Sequence, residues 1–226
     1  MIETLSAPDI ISLLQHAARG LSQSHERVGE LDALTGDGDL GVTAELVSKA
    51  IDQCTTSSEA NIGELLMNCG AEINRRSPST FGTLLASAFN EVGKSTLGRS
   101  EIKTDELVAF GRRAIDGIRK RGKSDIGEKT MLDCIVPAVD ALGHALTNGV
   151  GTRAAIKASI EAAKMGAMNT TMMAATHGRA AYRQDRAVGM QDAGASAVFY
   201  MLESAGNALI ELLGKKLEPP SFRFCE

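Results

Sequence analysis

The sequence predicts an all-helical protein of about eight helices. Apolar residues recur at helical spacing through most of the chain, and no segment shows the period-two alternation of a half-buried strand. The aromatic fraction is only 4% with no Trp, against 23 Gly, so the core must be packed from small and aliphatic side chains, which suits closely packed helices.

The first helix is expected from Pro8, with Ser6 or Ala7 ahead of a proline suited to a first turn, through Ile10, Leu13, Leu14, Ala17 and Leu21 to about Val28. Residues 29–42 (GELDALTGDGDLGV) have no sustained period and read as a loop, with Thr43 as cap of the next helix. Asn61 and Glu64 resemble a capping box for a helix through Leu65, Leu66 and Ile73, which ends in the turn around Pro78. A further helix carries Leu84, Leu85 and Phe89. Thr104 is expected to cap one that carries Leu107, Phe110, Ala114 and Ile118 and breaks at Arg121-Gly122. Helical stretches over 130–147, 152–175 and 193–214 complete the set. No repeat or long linker divides the chain, so residues 1–214 are expected to form one domain and residues 215–226, with two prolines, a tail.

At 226 residues and 43% hydrophobic content the chain can bury a sizeable core. A formal net charge of −4 supplies no global field for phosphate backbones, which disfavours nonspecific nucleic-acid binding. Cys54, Cys69, Cys134 and Cys225 form no C-x-x-C pair, which argues against a disulfide framework or a zinc site. With no signal-peptide pattern and no membrane-length apolar stretch, the expected setting is the cytoplasm.

The strongest chemical signal is DALTGDGDLG, in which Asp32, Asp37 and Asp39 occupy one short stretch whose glycines let the backbone fold tightly. Clustered carboxylates repel unless cations intervene, and such hard oxygen ligands suit Mg²⁺ shared with nucleotide phosphates. A solvated acidic turn is the alternative on local sequence alone. An EF-hand fails on spacing: counting from Asp37, Ser48 stands where the bidentate Glu belongs.

GIRKRGKS, from Gly117 to Ser124, matches the G-x-x-x-x-G-K-S phosphate-loop pattern, yet it ends an amphipathic helix instead of linking a strand to a helix. Gly122 therefore reads as a helix-ending residue. A third segment gathers Arg179, Arg183 and Arg186 ahead of Asp192 and Gly194 at a helix start, a setting in which guanidinium and free amides can meet phosphate. Met165, Met168, Met172 and Met173 lie at helical spacing and read as core packing.

Taken together and in order, LDALTGDGDLG, SPSTFGT, RGKSDIGEKTMLD and GRAAYRQDRAVGMQDAGA resemble the motifs of the L subunit of dihydroxyacetone kinase, the DhaL or DAK2 domain family. The resemblance runs through nearly the whole chain. It implies a barrel of eight antiparallel helices with the nucleotide, ADP or ATP, at one end. Asp32, Asp37 and Asp39 match the ligands of two magnesium ions, and Leu40, Gly41, Val42 and Thr43 the residues around the phosphates. Arg76 and Ser77 fall in the family's second nucleotide loop, and Gly122 and Met131 in its adenine pocket. Arg179 matches the arginine of a G-R-A-S-Y block, and Asp192, Ala193 and Gly194 match a D-P-G block. Lys129 and Thr130 belong to a K-T-M stretch and carry no assigned role. Three departures border the nucleotide: Leu40 stands for a frequent His, Pro78 for a glycine and Ala193 for a proline.

The implied activity is phosphoryl transfer to a small ketose held by a separate K subunit, with ATP or a phosphoprotein of a sugar phosphotransferase system as donor. Asp32, Asp37, Asp39 and Arg179 would form the catalytic centre. A nucleotide-sensing regulator without turnover is the competing reading, and neither reading involves nucleic acid or a membrane.

Overall fold

The computed structural model describes residues 3–56, 60–178, 181 and 187–217. Nine α-helices stand among them: α1 (Ala7–Gln23), α2 (His25–Thr35), α3 (Leu40–Cys54), α4 (Ile62–Arg76), α5 (Thr80–Ser95), α6 (Leu107–Gly122), α7 (Leu132–Thr147), α8 (Thr152–Asn169) and α9 (Ala193–Leu217). The all-helical expectation holds, with two local corrections. Strands β1 (Thr4–Ser6) and β2 (Glu101–Lys103) pair antiparallel. At three residues each they are too short for alternation to register, and only Leu5 and Ile102 are buried in them.

The second correction concerns the first helix. Ser6 caps α1 in a reciprocal box with Asp9, and the helix ends where the Ser24 amide and hydroxyl both turn back to the Leu21 carbonyl. The chain then restarts as α2 and stays helical to Thr35, so most of the expected loop over 29–42 is helix. Gly29 is kept inside α2 because α3 crosses there: a Cβ on Gly41 would come 3.3 Å from the Gly29 Cα and 2.8 Å from the His25 carbonyl oxygen. Asp39, not Thr43, precedes α3.

Elsewhere the local rules work as expected. The Asn61 side chain accepts from the Gly63 and Glu64 amides, and Ser79 accepts from Gly82 at the start of α5. Thr104 is an exception: it lies buried in a short 3-10 turn ahead of α6 and does not cap that helix, because its hydroxyl donates to Glu3 and Glu106 stands before α6. At the end of α6 the left-handed position is Lys123 (φ 53°), the residue after Gly122, so the phosphate-loop look-alike closes a helix. α9 runs on through residues 215–217, and the rest of the expected tail lies outside the described residues.

Neighbours in sequence pack antiparallel. Gly63 of α4 lies against Gly93 and Leu97 at the far end of α5, Gly111 of α6 against Val139 of α7, and Gly206 of α9 against Ile160 of α8. Gly20 of α1 meets Tyr200 and Ser204 of α9, so the packing order closes on itself. As a result, α3, α5, α7 and α9 begin at the end of the bundle where α2, α4, α6 and α8 finish. The core divides into a larger cluster toward that end, including Leu31, Leu40, Phe81, Leu85 and Met131, and a smaller one toward the β1–β2 end, including Leu5, Ile62, Ile102 and Leu213.

The methionine expectation is corrected too. Met165, Met168 and Met172 are exposed, and α8 buries Ala163, Gly166 and Ala167 instead. A Cβ on Gly166 would stand 2.1 Å from the Asp133 carbonyl oxygen, so α8 meets α7 too closely there for a large side chain. Pro137, four residues after Asp133, has no amide to offer that carbonyl.

Candidate functional site

Asp32, Asp37 and Asp39 converge at the end of the bundle where α3 begins. Asp32 projects from the last turn of α2, and the four residues between α2 and α3 bring the other two back toward it. One carboxylate oxygen from each lies within 4.8 Å of the others. The turn is held from within: the Gly36 amide donates to the Asp32 carbonyl, Gly38 takes φ +79°, and the Leu40 amide donates to Asp32 Oδ2 at 3.2 Å. Partial burial, and then the Asp32 charge, raise the Asp39 carboxyl above its usual range. Like charges this close repel by on the order of 1 kcal/mol per pair even at water-like dielectric, a repulsion that a bound cation would relieve. The donor set consists of carboxylate oxygens alone, which fits a hard divalent cation such as Mg²⁺ and offers no nitrogen or sulfur for a softer one.

Four helices direct their amino ends here. Of the α3 residues expected around phosphate, Leu40, Gly41 and Thr43 are buried and Val42 is exposed. The first-turn amides of Gly41 and Val42 have no helical acceptor, which leaves a partial positive charge beside the carboxylates. α5 starts just after Ser77, which is buried, and its Gly82 packs so tightly that a Cβ would come 2.3 Å from the Ser77 carbonyl oxygen. α9 starts at Ala193, with Asp192 Oδ2 accepting from the Ala195 amide at 2.7 Å, and Gly194 faces Phe81 of α5.

Asp192 is electrostatically coupled to Asp32, which places the α9 start beside the acidic cluster. Burial pushes its carboxyl up to about 6, with the charges of Asp133 and Asp32 adding to the rise and the Ala195 amide and Lys129 opposing it. Gly122 ends α6 against Leu84, and Met131 is buried at the α7 start. Leu40, Asp192, Ala193, Gly194, Gly122 and Met131 therefore gather at the same end as the three aspartates.

Two expected residues do not join them. The Arg76 guanidinium is held by Glu72 and by Gln53, and Gln53 lies roughly 20 Å along α3 from Asp39. The i,i+4 partner and the neighbouring helix hold the side chain away from the aspartate turn. Arg179 lies outside the described residues.

The structure also brings in residues that motif reading left without a role. Asp133 is buried and folds the 123–131 loop, accepting from the Gly127 amide at 2.5 Å and the Thr130 amide at 2.8 Å. Lys129, 3% exposed with φ 60°, sends its ammonium to the carbonyls of Thr170 and Met190, each at 2.6 Å. A left-handed non-glycine residue costs about 1–2 kcal/mol, so the loop holds Lys129 there against its preference. Glu128 adds a contact to His177 at 2.8 Å. Nothing local in the K-T-M stretch marks Lys129 as buried or says which carbonyls it will meet.

Known proteins place this geometry in a lineage. Residues 34–207 match the DAK2 domain. The chain is 30% identical over 201 residues to the ADP-binding subunit DhaL of the PEP-dependent dihydroxyacetone kinase of Escherichia coli, covering 88% of this chain and 96% of that one. It is 32% identical over 188 residues to the corresponding subunit of kinase 1 of Listeria innocua, covering 79% and 88%. It is also 28% identical to the L-erythrulose kinase of Pectobacterium atrosepticum, of which it spans 35%. Among solved structures, the dihydroxyacetone kinase of C. freundii in complex with AMP-PNP and Mg²⁺ superposes with a TM-score of 0.69 at 21% identity, over 93% of this chain and 35% of that one, a likeness of fold. The chain belongs to the DAK2 domain family.

Proposed function

We propose that this member of the DAK2 domain family is the nucleotide-binding subunit of a dihydroxyacetone-type kinase, which transfers a phosphoryl group through Mg-bound ADP or ATP to a small ketose held by a partner K subunit. The observation that carries the reading is the Asp32, Asp37 and Asp39 cluster at the meeting point of four helix amino ends. Carboxylates that close call for a cation, and convergent amides call for an anion. A metal–phosphate ligand satisfies both.

In this reading Asp32, Asp37 and Asp39 hold two magnesium ions, which would neutralise charge on the phosphates when bound. The Gly41 and Val42 amides and the turn at Ser77 orient the phosphates, Gly122 and Met131 enclose the base, and Asp192 to Gly194 border the nucleotide beside the acidic turn. Arg179 adds positive charge to the transferred group. With ATP as donor, the acceptor hydroxyl oxygen forms a bond to the γ-phosphorus as the bridging β–γ phosphoanhydride bond breaks, ADP leaves with the bridging oxygen, and the hydroxyl proton passes to a base on the partner's side. Catalysis by this chain is then positioning and electrostatics.

The need for a partner is supported by the surface of the same end, where Leu34, Val42, Ile126, Met172, Val188 and Met190 are all exposed. Apolar side chains gathered around a charged site suit a face that another protein covers. The DhaL relatives are named as subunits and not as whole kinases, in keeping with this. Dihydroxyacetone and erythrulose are the acceptors to try first, with ATP and a phosphotransferase-system phosphoprotein as donors.

The test is a calorimetric titration of ADP into metal-free protein, with and without Mg²⁺, for wild type and Asp37→Ala. The expected result is magnesium-dependent binding that the substitution weakens by at least about tenfold. Binding that ignores magnesium or the substitution would overturn the site. With a cognate K subunit, turnover on either ketose supports the kinase, whereas stable docking without turnover on both donors would favour a nucleotide-sensing regulator.

A further inference from the structure

We propose that Lys129 and Thr170 form a buried clamp that shapes the nucleotide site, by fixing the segment from Gly189 to Gly194 against the 123–131 loop. The inference rests on the nucleotide reading above.

Three strands of observation meet on it. The Lys129 ammonium lies inside the protein and donates to the Thr170 and Met190 carbonyls, which follow it by 41 and 61 residues in the chain. The Thr170 hydroxyl, 0% exposed, accepts from the Asp192 amide at 2.8 Å, and the Gly189 amide donates to the Thr171 carbonyl at 2.8 Å. The segment leading into α9 is therefore tied at Gly189, Met190 and Asp192 to the turn after α8, and Lys129 binds both at once.

A buried ammonium is expensive to desolvate, and a left-handed lysine is strained. Burial pulls the Lys129 ammonium below its ordinary range even with Asp192 and Asp133 nearby to hold it charged. A core that needed only packing would place an apolar side chain here. Lysine instead supplies a cation long enough to gather carbonyls from two separated segments. Those segments and the lysine's own loop carry Met131, assigned to the base, on one side and Asp192 to Gly194, beside the acidic turn, on the other. Because its head group faces carbonyls, Lys129 acts through them, as a positioning residue.

The experiment compares full-length wild type, Lys129→Met, Thr170→Val and Thr170→Ser by Mg–ADP titration, Mn²⁺ titration without nucleotide, and amide exchange in the nucleotide-free protein. Lys129→Met is expected to bind Mg–ADP at least about tenfold more weakly. Its Mn²⁺ affinity should stay within about twofold of wild type, because the aspartate turn is held by its own bonds. Thr170→Val should lose about threefold in Mg–ADP affinity, and Thr170→Ser, which keeps the hydroxyl, should bind as wild type. Exchange should quicken at Gly189 and Asp192 in the first two variants.

Wild-type Mg–ADP affinity and unchanged exchange in folded Lys129→Met and Thr170→Val would overturn the clamp. A parallel fall in Mn²⁺ affinity would reduce it to a general structural role. If Lys129→Met does not fold, the Val and Ser pair at Thr170 decides. Should wild type itself bind no Mg–ADP, the functional reading fails, while the exchange data still report whether the clamp exists.

Discussion

The two ends of this bundle handle charge in opposite ways. At the β1–β2 end, charges and polar groups are matched: Arg99 pairs with both oxygens of Glu106 at 2.8 and 2.6 Å, and the Glu3 carboxylate accepts from Thr104 and Thr152. Lys216 joins Asp9 at 2.7 Å. The Arg99 guanidinium holds Glu106 well below the usual carboxylate range, at about 2. At the other end, three aspartates crowd one turn, Asp192 is raised, and a lysine is buried in a left-handed conformation. The contrast teaches where stability and binding are kept: one end joins acids to bases and hydroxyls, and the other gathers three acids into one turn suited to a cation.

Removing a carboxylate from the crowded end should separate the two roles most sharply. Asp37→Ala is expected to lose at least tenfold in Mg–nucleotide affinity, about 1.4 kcal/mol. In metal-free buffer its thermal midpoint should stay close to that of wild type, because Asp37 is exposed in the turn between α2 and α3. A clear fall in the metal-free midpoint would break the comparison.

At the matched end the reverse should hold. Thr104 is buried, and its hydroxyl links to the Glu3 amide and carboxylate. Thr104→Val should cost about 1–2 kcal/mol in denaturant unfolding by leaving those groups poorly satisfied. Its nucleotide affinity should not change, and any loss larger than twofold would show that the ends are coupled.

A pH series sharpens the comparison. The Asp192 carboxyl keeps its proton to about pH 6 in the folded chain, against 3.8 for the ordinary group. Folding therefore takes up a proton between these values, and stability falls as pH rises across the window. The decline should reach on the order of 1–2 kcal/mol after allowance for solvent screening. Asp192→Asn, in metal-free buffer, should flatten that slope while Asn still caps α9. An unaltered slope in the variant would refute the assignment.

The smallest expected effect is at Lys123. It closes α6, so Lys123→Ala should change Mg–nucleotide affinity less than about twofold, and its left-handed φ leaves a small stability cost. A loss matching Asp37→Ala would mean that GKS grips phosphate after all.

The sequence by itself determined the helical class, most helix positions and the acidic turn. These rest on local chemistry: apolar spacing over a few turns, cap residues such as Ser6 and Asn61, and glycines between carboxylates. Tertiary structure decided the rest. Whether the chain breaks at Ser24, whether Gly29 stays helical and whether Met168 faces outward depend on which helix crosses at that point, which local pattern does not contain. Likewise, Arg76 reads as part of a nucleotide loop in its motif until Gln53 and Glu72 are seen to take its side chain. Lys129 reads as an ordinary lysine until burial forces its ammonium onto two carbonyls far along the chain. A side chain's role follows from its lowest-energy partner, and for these residues folding brings that partner in from far along the chain.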